Sequence, residues 1–300
     1  MKGAYTYLAF VLLMLTQACQ SGEQKFVKSD QDSTNITKTY KSGVLKNISY
    51  GPHKDQDMDL YLPGNNSIET AIVYIHGGGW FTGDKTEAIN WARFFQARGY
   101  TFISVNYRLT NTDEHFIYPD QVEDVKNAIE YISSRVGQWG IDKRKIVIMG
   151  ASAGAQLALL YAFRFNSGNK IRVAISFCGI TDLTDQNFWN TTSSDSDPGG
   201  RTMISWYVGN NAINRPEILK EASPVNYINK NSIPTLLIHG KADEVVSYEQ
   251  SLNVSKKLSE FNIPNQLELL EGVDHDFLAI DLSQQLIKAD LFIQSILKSH

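Results

Sequence analysis

Three residue types in this chain, a serine in a tight turn, a carboxylate after a later strand and a histidine after a later one still, have the spacing to do chemistry together. The serine lies in Ile146–Gly154, which reads IVIMGASAG: a β-branched apolar run, then Gly150, Ala151, Ser152, Ala153 and Gly154, followed directly by the apolar helical pattern Leu157–Phe163. This is strand, sharp turn, helix. The middle residue of such a G-x-S-x-G turn is pushed out at the end of its strand, because the backbone closes too tightly for larger neighbours. The helix behind it points N–H groups and the positive end of its dipole at whatever forms on the serine. Ser152 is therefore a candidate nucleophile, and a hydroxyl needs a base to take its proton.

Histidine has the suitable pKa, and the chain has six. A serine on a strand–turn–helix elbow is followed in the chain by its acid and then by its histidine, which leaves His239, His275 and the terminal His300. His239 directly follows the strand Thr235–Ile238, where the acid's loop is expected to begin, so choosing it would push the acid back one strand. His275 follows the strand Gln266–Leu270 through Glu271-Gly272-Val273-Asp274, a loop at a strand's carboxyl end. It is taken as the base. The acid belongs in the loop after the preceding strand, His239-Gly-Lys-Ala-Asp243-Glu-Val-Val246, and Asp243 is chosen, with Glu244 and Asp182 as rivals. Asp274 and Asp276 read as solvated, since sequence neighbours seldom fold back onto one imidazole.

A tetrahedral intermediate needs preorganised donors for its oxyanion. His76-Gly77-Gly78-Gly79-Trp80 follows the strand Ala71–Ile75, and the N–H groups of Gly78 and Gly79 with that of Ala153 could form the hole. His76 reads as a residue that orients this loop. There is no G-x-x-x-x-G-K-S/T string and no G-x-G-x-x-G fingerprint, so a nucleotide is not expected. Asp274-His275-Asp276 has no second histidine or cysteine beside it at ligand spacing, so neither a metal nor another cofactor is expected.

The elements that must position these residues show the right rhythm. Lys41–Tyr50 and Asp57–Leu62 read as antiparallel strands. From Ala71 onward short apolar runs alternate with amphipathic helices: strands Ala71–Ile75, Tyr100–Asn106, Lys145–Met149, Ile171–Phe177, Thr235–Ile238 and Gln266–Leu270. The helices between and after them are Glu87–Arg98, Pro119–Val136, Ala153–Phe165, Ser247–Phe261 and Leu282–Leu297. This is an α/β pattern, a mostly parallel sheet of about eight strands with helices on both faces. Residues 183–232 break the rhythm with Phe188, Trp189, Trp206, Tyr207 and a polar Ser/Asp/Gly loop. That long irregular insertion reads equally as a lid or substrate wall and as a surface excursion.

The 300 residues are 42% hydrophobic and 20% charged, with a net charge of −4. This suits one large globular domain over residues 40–300 and argues against a nucleic-acid partner, which would call for a basic face. Lys2 and the apolar run Leu8–Leu15 ending at Ala18 read as a signal peptide over residues 1–18, and the polar stretch 19–39 as a flexible tether. Cys19 resembles the site at which a bacterial lipoprotein is lipidated, the alternative being ordinary cleavage after Ala18. The chain is thus expected to be exported, periplasmic or anchored at the outer membrane, touching membrane only through that lipid. Cys178, the other cysteine, lies in an apolar run and reads as buried.

With these residues in view the chain resembles the α/β-hydrolase superfamily, and within it the hormone-sensitive-lipase-like and acetyl-xylan or feruloyl-type carboxylesterases. The resemblance runs over nearly all of 45–295 and rests on Tyr61-Leu62-Pro63, Tyr74–Trp80, Val105–Arg108, Gly150–Gly154, Ser223-Pro224, His239–Asp243 and His275–Phe277. It implies Ser152, Asp243 and His275 as catalytic triad and Gly78, Gly79 and Ala153 as oxyanion hole. The implied activity is hydrolysis of short-chain or acetyl esters, on small molecules or plant polysaccharide, through an acyl-enzyme. A kynurenine-formamidase-like amidase or peptidase, and a non-catalytic ligand-binding protein on the same fold, are the alternatives. Two residues depart from the pattern: Ala155 replaces a common further glycine, and Asp274 precedes His275 where Gly or Ala is common.

Overall fold

The computed structural model describes residues 42–110, 116–191, 199–210, 215–277, 280 and 282–298. The expected signal peptide, the tether and Cys19 lie outside these residues. Among the described residues, no helix is long and apolar enough to cross a membrane.

Eight strands form one sheet in the order β1-β2-β4-β3-β5-β6-β7-β8. They are β1 (Gly43–Ser49), β2 (Asp57–Leu62), β3 (Ala71–Ile75), β4 (Thr101–Val105), β5 (Ile146–Ala151), β6 (Val173–Phe177), β7 (Thr235–Gly240) and β8 (Asn265–Leu270). β1 and β2 are antiparallel to their neighbours, and β4, β3, β5, β6, β7 and β8 run parallel. The parallel part follows from the apolar runs: every residue of β3, β4 and β6 is buried, so both faces must be covered. Along β3, Ala71, Val73 and Ile75 enter one core while Ile72 and Tyr74 enter the other, as the period of two requires.

The helices on these faces are α1 (Ile89–Gln96), α2 (Asp120–Arg135), α3 (Ala153–Leu160), α4 (Gln186–Trp189), α5 (Gly200–Val208), α6 (Pro216–Glu221), α7 (Glu249–Glu260) and α8 (Ser283–Leu297). α2 buries Val122, Val125, Ile129 and Ile132, while Glu123 and Lys126 pair on its outer side at 2.7 Å. The helix expected over Glu87–Arg98 is split. Asp84 accepts from the Thr86 N–H and starts a 3-10 turn, Lys85–Ala88, before α1 begins. The turn draws the Lys85 ammonium inward to Asp57 at 2.8 Å, and the Asn106 amide bridges Asp57 and Asp84. The helix expected over Ala153–Phe165 ends its α part at Leu160 and continues as a π turn, Tyr161–Phe165.

The insertion expected to be irregular holds α4, α5 and α6. Local chemistry accounts for two of these: Asp185 caps α4 by accepting from Asn187 N–H, and Pro216 sits at the first turn of α6, where a missing N–H costs nothing. α5 turns Met203, Ile204, Tyr207 and Val208 inward.

Candidate active site

β5 ends in the elbow that the GASAG string predicts. Ser152 has φ 52° and ψ −121°, a conformation that few non-glycine residues adopt and that lifts its side chain off the strand end. The backbone around it is pinned, with Ser152 N–H donating to Phe177 O at 2.9 Å and Gln156 N–H to Ser152 O at 3.1 Å. The flanking glycine at 154 is a matter of distance. A Cβ there would stand 2.2 Å from the carbonyl oxygens of Ile75 and His76, so the end of β3 can lie against the start of α3 only because none exists. Ala155, where a further glycine is common, is accommodated by Gly179 opposite, at which a Cβ would meet the Ala155 methyl at 2.9 Å.

Three parallel strands deliver the three candidate groups to the same end of the sheet. Ser152 follows β5, Asp243 follows β7, and His275 follows β8. Ser152 Oγ lies 3.0 Å from His275 Nε2, and His275 Nδ1 lies 2.7 Å from Asp243 Oδ2. The other Asp243 oxygen accepts the backbone N–H groups of Val245 at 2.9 Å and Val246 at 2.7 Å, which fixes the carboxylate plane. Burial alone would raise the Asp243 carboxyl, but hydrogen bonds from His239 and His275 outweigh it and hold the group far below the usual carboxylate range. Burial likewise opposes charge on His275, yet the Cys178 sulfur and the Asp243 carboxylate beside it hold the imidazole well above the ordinary histidine value.

The rival acids lie elsewhere. Glu244 is exposed, and Asp182 Oδ1 accepts from the backbone and hydroxyl of Thr184. Asp276 is exposed and Asp274 half-buried.

The loop after β3 lies beside the serine: a Cβ on Gly77 would be 3.5 Å from Ser152 Cβ. Gly78 has φ 98°, and its carbonyl accepts from Phe81 and Thr82 N–H at 3.1 and 3.0 Å, which curls the loop into a tight turn. Among the described residues no hydrogen bond takes up the N–H of Gly78, Gly79 or Ala153, the donor supply that an oxyanion requires. His76 is buried beneath this loop. Its Nδ1 donates to Gly77 O at 2.8 Å, its ring stacks on Tyr107 with centroids 4.4 Å apart, and burial pushes its imidazole down to about 4.

Several neighbours were invisible in the sequence. Trp80, with φ 66°, stacks flat on Tyr207 of α5 at 4.2 Å and donates its indole N–H to Gln156 at 3.0 Å. Gln156 in turn donates to Ala222 O at 2.7 Å, so loop, helix α3 and insertion are tied together. Phe81 and Met203 crowd Gly79, and Trp206, 41% exposed, sits edge-on to Phe81 with centroids 4.9 Å apart. Cys178 is buried as expected, but its place was not foreseen: its sulfur lies 3.6 Å from the His275 carbonyl.

Donor atoms of Cys178, Asp243 and His275 all lie within 4.8 Å of one another, a set that suits a soft divalent cation. The Asp243 and His275 atoms are already bonded to each other, however, and a cation there would replace the contact that orients the imidazole.

A mostly parallel sheet with its elbow serine after β5, and with a carboxylate and an imidazole arriving after β7 and β8, defines an α/β-hydrolase. The family model described as BD-FAE matches residues 58–258, more than half of the chain, and the chain belongs to that family. Esterase LipC of Mycobacterium tuberculosis is 25% identical over 253 residues, covering 79% of this chain and 60% of LipC. Ethyl acetate hydrolase of Pseudomonas putida is 23% identical over 229 residues, covering 73% of this chain and 70% of that protein. A solved structure described as a bifunctional GH43-CE of Bacteroides eggerthii shares the fold, with TM-score 0.71 at 24% identity over 84% of this chain and 38% of that one. The chain spans 60% of the length of LipC and 52% of that of the related Esterase LipQ.

Proposed function

We propose that this chain is a serine carboxylesterase that cleaves short-chain or acetyl esters through an acyl-enzyme. The observation that carries the reading is the continuous line from Ser152 Oγ to His275 Nε2 at 3.0 Å and from His275 Nδ1 to Asp243 Oδ2 at 2.7 Å. In this reading His275 takes the Ser152 proton as the oxygen attacks the ester carbonyl. Asp243 accepts from Nδ1–H, keeps Nε2 free to act as base, and stabilises the imidazolium that forms. The N–H groups of Gly78, Gly79 and Ala153 receive the oxyanion, each worth on the order of 100-fold to 1000-fold in rate. The imidazolium returns its proton to the leaving alkoxide, and water repeats the sequence in reverse to release the acid.

The name of Esterase LipC supports ester cleavage, and that of ethyl acetate hydrolase supports a small acyl group. Our reading extends to acetyl groups on plant polysaccharide, with α5 as a substrate wall whose exposed indole, Trp206, can receive a sugar ring beside the donor loop. It also includes export and lipidation at Cys19, which a fatty-acid label lost in Cys19→Ala would test.

The decisive experiment is covalent labelling with a fluorophosphonate. The wild-type chain should take up one label at Ser152, and Ser152→Ala should take up none and lose about a million-fold in turnover of p-nitrophenyl acetate. Activity of Ser152→Ala within tenfold of wild type would overturn the proposal. Release of acetate from acetylated xylan tests the substrate class separately, and its absence would remove the polysaccharide while leaving the esterase.

A further inference from the structure

The carboxylate oxygen that holds His275 is shared with a second imidazole. His239, on β7, is fully buried, and its Nε2 lies 3.1 Å from Asp243 Oδ2 and 2.9 Å from Val246 O. Both partners are acceptors, so Nε2 carries a proton and donates it between them. On the other side of the ring the Ser251 hydroxyl, from α7, meets Nδ1 at 2.8 Å and fixes the ring's rotation. The geometry points to His239 as the positioning residue of the acid: it orients the Asp243 carboxylate and, by donating to the same oxygen, limits the negative charge offered to His275. The inference rests on the esterase reading above and adds to it a fourth side chain that touches no substrate.

The surroundings isolate the effect. Cys178, which follows β6, and Asp243 are the titratable groups that bear most strongly on the His275 ring. Asp243 feels His239 and His275. From α7 the cluster meets Ser251, while its neighbour Gln250 is spent on Thr181, Asp182 and Asp185. A hydrogen bond donated to a carboxylate lowers its proton affinity and its pull on a neighbouring cation. Without the His239 donor, Asp243 attracts the His275 imidazolium more strongly, and the base stays protonated to higher pH.

The test is the pH dependence of kcat/KM for p-nitrophenyl acetate, whose acid limb reports His275 in the free enzyme. His239→Leu removes the donor at similar volume, and the limb should move up by about half a unit to one unit while the plateau falls about tenfold or more. His239→Gln keeps an N–H near the Nε2 position and should bring the limb back to that of wild type. A folded His239→Leu with an unmoved limb would overturn the inference, as would His239→Gln failing by as much as His239→Leu. If His239→Leu does not fold, Ser251→Ala serves instead. Freeing the ring should shift the limb in the same upward direction by a smaller amount, and no shift would count against the proposal. Fluorophosphonate labelling of Ser152 in wild type separates the cases: normal labelling with an unmoved limb removes His239 alone, and absent labelling removes the esterase reading itself.

Discussion

Replacing Asp243 by asparagine changes one atom, and the hydrogen bonds dictate where that atom goes. Oδ1 accepts two backbone N–H groups, from Val245 and Val246, so the amide oxygen must stay on that side. The NH2 therefore falls at the Oδ2 position, 2.7 Å from His275 Nδ1 and 3.1 Å from His239 Nε2. An NH2 there donates to Nδ1, which puts the imidazole proton on Nε2 and presents Ser152 with a donor where it needs a base. His239 loses one of its two acceptors in the same step. A tautomer held the wrong way round costs on the order of 10,000-fold in turnover, or about 5 kcal/mol of barrier. Removal of the carboxylate also takes away an influence that raises His275, so the acid limb of kcat/KM should move to lower pH as the plateau collapses. The assay is kcat/KM for p-nitrophenyl acetate across the limb, with the fluorophosphonate labelling rate as an independent measure of serine reactivity and circular dichroism as a check of folding. A folded Asp243→Asn variant within tenfold of wild type would refute the assignment of the acid.

Gly154→Ala should destabilise the fold by about 3 kcal/mol or more, because the new methyl meets two backbone carbonyls at 2.2 Å and neither is the end of a movable side chain; a urea midpoint placing it within 1 kcal/mol of wild type would show the packing argument to be mistaken. His76, buried with its imidazole at about 4, binds its proton more weakly than the unfolded chain does at about 6.5. Between those values the unfolded state holds more protons, so its contribution to stability is present above about pH 6.5 and is lost as pH falls toward 4, by about 2–3 kcal/mol. His76→Asn should flatten that loss in denaturation measured at pH 7 and pH 5, and an unchanged slope would point to another group. Trp206→Ala should leave p-nitrophenyl acetate turnover within about twofold and raise KM for acetylated xylan fragments about tenfold, the scale of one lost ring contact; equal effects on both substrates would rule out a wall role.

The part of the fold that could be read from the sequence is the part written in short-range pattern. Apolar runs gave β3 to β8, and Gly150 and Gly154 marked the elbow because close backbone approach leaves only one residue type. The order of serine, acid and histidine works because loops at the carboxyl ends of parallel strands share one edge of the sheet, so Ser152, Asp243 and His275 meet although they are far apart in the chain. Side-chain contacts between distant elements left no such trace. Nothing in His239-Gly-Lys-Ala-Asp243 distinguishes a histidine that is a base from one that donates to the acid, since both require an imidazole near a carboxylate. The inward turn of Lys85 depends on Asp57, a strand away, and the placing of Cys178 against His275 on two loops whose relative height only the assembled sheet sets. In the insertion α5 was obscured because the contact that holds it, Tyr207 on Trp80, comes from outside the segment.

That stack carries a consequence for how such a chain can change. The donor loop holds Trp80 at a positive φ with its ring under Tyr207, and Tyr118 N–H reaches across to the Tyr207 carbonyl at 2.7 Å. The proposed substrate wall is thus bolted to the loop proposed to hold the oxyanion. On the proposed esterase reading, exchanging residues 183–232 for those of a relative would alter substrate choice and the setting of the oxyanion donors in one stroke, unless Trp80 and its partner travelled as a pair. Evolution along this lineage is expected to retune both properties together.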